Sequence, residues 1–145
     1  MNILVSACLL GVNCTYKGTS KEQEALLHML KEGKHTLIPI CPEQLGGMST
    51  PRFPSERKGE QVISCEGKDV TEVFRKGASE ALRLAQLYDC KVAILKERSP
   101  SCGSGQIYDG TFTGNLIEGD GVTAELLKKY GMQIIGETEL NIEQW

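Results

Sequence analysis

The chain has 145 residues, of which 40% are apolar, 24% charged and 6% aromatic, and it carries a net charge of -3. One domain over residues 1–145 is expected at that length, and a domain of this size buries roughly 68–70% of its unfolded surface, enough to hold together without disulfides. The acidic balance speaks against a partner such as duplex nucleic acid, which asks for a basic face, and no apolar run approaches the roughly 20 residues that would make a membrane a partner.

The first predicted strand is Ile3 to Ala7, apolar throughout, as in a strand buried on both faces. The opening has no basic segment and does not read as a secretory signal. A loop bearing Gly and Cys runs from Cys8 to Gly18, and Ser20 with Gln23 three positions later resembles a capping box opening a helix to Glu32. Gly33 stops it. The second strand is Thr36 to Ile40, followed by a long Pro- and Gly-rich loop over residues 41–54 in which no regular structure is expected. A small hairpin pairs Gln61 to Cys65 with Lys68 to Val70, turning at Glu66-Gly67. Asp69 caps a long helix to Tyr88, and Lys91 to Leu95 is the third strand. A polar, Gly-rich loop covers residues 96–105, a short hairpin lies within Ile107 to Gly114, the last long helix spans Gly121 to Tyr130, and Met132 to Ile135 is the fourth strand. The tail, Glu137 to Trp145, is expected to form one capping turn.

Alternating strands and helices imply a three-layer, Rossmann-like α/β fold. It is expected as a mainly parallel sheet of about four strands, helices on both faces and a small hairpin. In such sheets ligands sit beyond the carboxyl ends of the strands.

Six cysteines in 145 residues fall well below the roughly 8–10% of a disulfide scaffold, and a cytoplasmic chain keeps its thiols reduced. They need another explanation. Cys8 follows the first predicted strand, Cys41 the second, and Cys102 stands seven residues past the third. Any one of them is as readily a small buried hydrophobe, but a parallel sheet brings all three to one edge. Cys65 and Cys90 are read as packing residues, while Cys14 is a spare ligand, a resolving thiol or neither. Three thiolates suit a soft metal. Neither His28 nor His35 is placed to add a fourth ligand, so one coordination position stays open, as a Lewis-acid catalyst requires. Spacing alone does not tell an iron–sulfur cluster from zinc. Glu43 is a candidate general acid or base. Ser99 and Ser101 beside Cys102 offer hydroxyls to a water or a substrate, and Arg52, Lys96 and Arg98 a local positive charge. A phosphatase loop of the Cys-x5-Arg type is disfavoured because position 14 is Cys.

Cys8-Leu9-Leu10-Gly11 with Tyr16 and Gly18, Cys41-Pro42-Glu43 with Gly46-Gly47 and Pro51-Arg52, Ser99-Pro100-Ser101-Cys102-Gly103, and Gly121-Val122-Thr123-Ala124 together resemble the thiouracil desulfidase family, from residue 3 to about 137. The resemblance implies a [4Fe-4S] cluster held by Cys8, Cys41 and Cys102 with one iron free, and a small thiolated pyrimidine base or nucleotide as substrate. It implies removal of sulfur as hydrosulfide without net redox chemistry. Glu43 and Ser99 take the catalytic positions, and substrate contacts are expected at Ser101, Arg52 and Gly11. Lys17 departs from the Asp usual in that family, and position 14 varies within it. A non-catalytic iron–sulfur or sulfur-relay module and a zinc hydrolase are the competing functions for the same thiols.

Overall fold

A computed structural model describes residues 1–141 and 145. Strands β1 (Asn2–Ser6), β2 (Thr36–Ile40), β5 (Val92–Leu95) and β8 (Gln133–Gly136) form a parallel sheet in the order β2-β1-β5-β8. Successive side chains of a strand face opposite ways, and the core divides accordingly. Ile3, Val5, Val92 and Ile94 meet Leu26 and Met29 of helix α1 (Glu24–Glu32) on one face. On the other, Leu4, Ala93 and Leu95 meet Ala81 and Ala85 of α3 (Thr71–Leu87) and Ala124 and Leu127 of α4 (Val122–Lys129). Ala81, Ala85, Ala93 and Ala124 make that second face rich in small side chains. Pro39 is on the edge strand β2, where its missing N–H interrupts no ladder. The α/β expectation with helices on both faces holds.

Two antiparallel hairpins cover the sheet's carboxyl edge, β3 (Ser55–Lys58) with β4 (Gln61–Ser64), and β6 (Gln106–Tyr108) with β7 (Leu116–Glu118). The expected turn at Glu66-Gly67 exists, but it closes only an isolated bridge between Ile63 and Asp69, and the main partner of β4 lies upstream. That partner is a charged strand, Ser-Glu-Arg-Lys, invisible to a search for apolar alternation. Its Arg57 is buried and reaches α4, donating to the Asp120 carbonyl at 2.8 Å and to Glu125 at 2.9 Å.

Helix α1 begins at Glu24, not Ser20. Lys21 and Gln23 donate their backbone N–H groups to the Cys8 and Leu9 carbonyls at 2.8 and 2.9 Å, so the preceding segment is held extended by tertiary bonds. The Gln23 side chain folds onto the Lys21 carbonyl instead of closing a capping box. The long loop after β2 does hold a helix, α2 (Pro42–Leu45), with Pro in its first turn, where the missing N–H costs nothing. In the tail, Glu137–Glu139 forms a 3₁₀ turn, while residues 142–144 of the expected capping turn lie outside the described residues.

Candidate active site

Three segments leave the sheet at its carboxyl edge and each is held by a different device. Past β1, Ala7–Leu10 wind into a 3₁₀ turn carrying Cys8, closed by Gly11 at φ 96°. Past β2, Cys41 is the N-cap of α2, and Glu43 lies in that helix's first turn. A Cβ on Gly77 of α3 would strike the Pro42 carbonyl, and one on Gly46 the Val73 carbonyl, so these two glycines allow α2 to seat on α3. Past β5, the loop carrying Ser99, Ser101 and Cys102 is fixed by the start of α4. Backbone N–H groups of Val122, Thr123 and Ala124, unpaired within their own helix, donate to the carbonyls of Pro100 and Ser101 at 2.8, 2.8 and 3.1 Å.

The segments enclose a cavity of about 590 Å³, within the size range of small-molecule sites. Cys8, Cys14, Cys41 and Cys102 line it together with Glu43, Arg52, Ser99 and Ser101. Arg52 Nε donates to Glu43 Oε1 at 3.1 Å, and Ser101 Oγ donates to Glu43 Oε2 at 3.0 Å. Ser99 Oγ lies 3.0 Å from Ser101 Oγ and accepts the backbone N–H groups of Ser101 and Cys102 at 3.2 and 3.1 Å. With the Ser101 proton on Glu43, the Ser99 hydroxyl donates to Ser101. A directed chain, Ser99 to Ser101 to Glu43, results. Arg52 is nearly buried, its side chain 5% exposed, and its remaining donors go to the Ser49 carbonyl, Thr50 Oγ1 and the Cys14 carbonyl.

The thiols influence one another. Burial pushes Cys102 up to about 12, against hydrogen bonds with Ser6 and Ser101 that lower it. For Cys14 the hydrogen bond with Cys41 is lowering, but the bond with Cys8, burial and the charge of Cys8 outweigh it and leave the thiol at about 11. Cys41 is raised strongly, first by its bond with Cys14 and then by burial, although the Gln44 backbone N–H points at its sulfur. Burial, together with the neighbouring thiols at Cys14 and Cys41, thus favours the protonated form of Cys14, Cys41 and Cys102. A cationic core among them reverses that balance, because a metal-bound thiol is deprotonated outright. Among the described residues no three His, Cys, Asp or Glu side chains converge on one point as a single metal ion requires. An iron–sulfur cluster asks for a looser set, with thiolates on separate irons, and thiols from three separate segments around one cavity fit it.

Of the residues singled out from sequence, Cys8, Cys41, Cys102, Glu43, Ser99, Ser101 and Arg52 reach the cavity, and Gly11 does not. A Cβ at Gly11 would meet the Glu22 carboxylate, so that glycine serves the turn. Cys65 is exposed and Cys90 packs in the α3–α4 core, both away from the cavity. Sequence reasoning missed Ser6, which ends β1, accepts the Lys96 backbone N–H at 2.9 Å and touches the Cys102 thiol. Its place at a strand end was the available signal. Tyr108 and Phe112, which with Tyr16 give the cavity aromatic walls, carried no such signal.

Fold and site together define an α/β protein whose cavity brings thiols from separate segments beside a hydrogen-bonded carboxylate. A family model for 2-thiouracil desulfurase matches residues 3–139, and the chain belongs to that family. The Bacillus subtilis (strain 168) protein YbbK is 45% identical over 149 residues, covering 96% of this chain and 97% of its own. The solved structure of the [4Fe-4S]-dependent thiouracil desulfidase TudS is also similar, at 45% identity and a TM-score of 0.89, covering 96% of this chain and 92% of that one.

Proposed function

We propose that this chain is a [4Fe-4S]-dependent desulfidase that hydrolyses the carbon–sulfur bond of a thiolated pyrimidine, thiouracil or thiouridine monophosphate. The observation that carries this is the meeting of the cavity thiols with a hydrogen-bonded Glu43–Ser101 pair. Cys8, Cys41 and Cys102 would hold the cluster. When bound, it supplies a soft Lewis acid that polarises a thiocarbonyl.

The remaining work falls to the protein. Arg52 and Ser101 hold the two oxygens of Glu43 in place. The Glu43 carboxylate accepts a proton from water as that water's oxygen attacks the thiocarbonyl carbon. Ser101 donates to the Glu43 oxygen that does not face Arg52, and Ser99 sets the direction of the Ser101 hydroxyl. Arg52 is assigned a positioning role, since its donors are directed to the protein. The balance is hydrolytic. One water is consumed, the new carbon–oxygen bond replaces the carbon–sulfur bond, sulfur departs as hydrosulfide with one water proton, and no electrons are transferred.

The test is anaerobic reconstitution followed by sulfide assay with thiouracil and with thiouridine monophosphate. Multiple turnovers with at least one are expected. Protein with a full iron and sulfide complement that releases no sulfide from either would refute the assignment. Release limited to one equivalent would favour a sulfur relay.

A further inference from the structure

We propose that Cys14 is a fourth, displaceable thiolate ligand of the cluster, occupying the position left by Cys8, Cys41 and Cys102 until substrate sulfur takes it; this rests on the desulfidase function above. Cys14 is 3% exposed and lines the same cavity as the other three. Cys14 packs in the same buried cluster as Cys8, with Cys41 against it, so it lies among the ligands. The Cys14 carbonyl accepts from Arg52 Nη2 at 2.8 Å and from Cys41 Sγ at 3.7 Å, which ties this residue to the arginine that also holds Glu43.

The four thiols differ in what carries them. Cys8 sits in a turn at the end of β1, Cys41 caps a helix seated on α3, and Cys102 is locked to α4. Cys14 is on a loop between Gly11 and Gly18, both at positive φ; the loop is tied to its surroundings by the Val12 N–H on the Ala7 carbonyl at 3.2 Å and the Arg52 N–H on the Tyr16 carbonyl at 2.9 Å, but Cys14 itself stands outside any helix, strand or helical turn. Of the four it alone is not fixed by a helical turn, a helix N-terminus or a contact with α4, so the exchangeable position falls to it. Exchange is balanced: the Cys14 sulfur leaves its iron and takes up a proton, substrate sulfur takes the iron, and no electrons move.

A cap of this kind lowers the apparent affinity of any competing ligand by the fraction of protein that is open. Anaerobically reconstituted wild type, Cys14→Ala and Cys14→Ser are titrated with hydrosulfide while the electron paramagnetic resonance signal of the reduced cluster is followed. Iron content and chelator-driven bleaching are measured in parallel. Both variants should keep the full iron complement and lose iron to the chelator faster. Hydrosulfide half-saturation should fall by roughly 10- to 100-fold if the open form is a minor state of about 1–10%. Equal half-saturation in wild type and both variants would overturn the proposal. So would loss of the cluster from both variants together with its retention in Cys102→Ala, because Cys14 would then be an obligatory ligand. Wild type that responds to hydrosulfide but releases no sulfide from thiolated pyrimidines would refute the enzymatic function and leave the ligand assignment standing.

Discussion

Arg52→Ala is the substitution that most directly tests how the site is held. The guanidinium bridges Glu43, Thr50 and the Cys14 carbonyl at 3.1, 2.9 and 2.8 Å. Each hydrogen bond involving a charged group contributes about 1.5–3 kcal/mol, and removing one partner of a buried ion pair costs about 3–5 kcal/mol. The side chains of Arg52 and Glu43 are 5% and 17% exposed, so the pair approaches the buried limit without reaching it. A loss of about 3 kcal/mol follows. With a urea slope of about 1–3 kcal/mol per molar, that lowers the unfolding midpoint of the cluster-free protein by about 1–3 M. Arg52→Lys keeps the charge but cannot span three acceptors at once, so it should fall between the two. Turnover of the loaded Arg52→Ala variant should drop further than its stability loss explains, because Glu43 and the Cys14 loop both lose their anchor. A midpoint within 0.3 M of wild type (~0.3–0.9 kcal/mol) and turnover within about twofold would refute the positioning role.

Gly77→Ala should destabilise. Alanine returns up to about 1 kcal/mol of helix propensity, but its Cβ would strike the Pro42 carbonyl. Overpacking costs about 1–3 kcal/mol, and a displaced α2 moves Glu43, so thermal unfolding should shift down and turnover fall. Glu43→Gln should load iron normally and lose about 10²-fold or more in the rate of sulfide release. Alanine at Cys8, Cys41 or Cys102 should abolish the brown chromophore, whereas alanine at exposed Cys65 should leave iron content unchanged. The pH dependence of the cluster-free protein follows from its raised thiols. Cys14 and Cys102 move from the ordinary 9.0 up to about 11 and about 12. Their neutral forms favour the fold, so the stabilisation is complete below pH 9 and is lost as pH climbs through 11 to 12. Urea midpoints measured across pH 7–11 should be level at first and then fall (about 9 being the turning point).

The cysteine pattern was legible because a parallel sheet does the work of bringing distant residues together. Cys8 and Cys41 lie within two residues of the ends of β1 and β2, and only the topology was needed to place them at one edge. Elements fixed by long-range contacts were not legible. The β3 strand is charged because Arg57 is paired with Glu125 of α4, which apolar periodicity cannot report. The late start of α1 depends on bonds to the Cys8 and Leu9 carbonyls. Helix α2 did have a local signal, Pro at its first turn with Glu next, and the surrounding Pro and Gly obscured it.

The hydroxyl assignment shows the same limit at atomic scale. Sequence offered Ser99 and Ser101 as near equivalents beside Cys102. Their roles separate only because Ser101, 1% exposed, is the one whose oxygen reaches Glu43. Ser99 is occupied with the backbone N–H groups of Ser101 and Cys102, so it orients the loop and the next hydroxyl without touching the carboxylate. Ser101→Ala should therefore act directly on Glu43, leaving Oε2 without its donor and lowering turnover in a loaded protein of near-normal stability. Ser99→Ala should first loosen the turn that presents Cys102, reducing cluster retention along with turnover. Iron content measured beside sulfide release separates the two, and equal iron loss in both variants would show that the chain from Ser99 to Glu43 is not divided in this way.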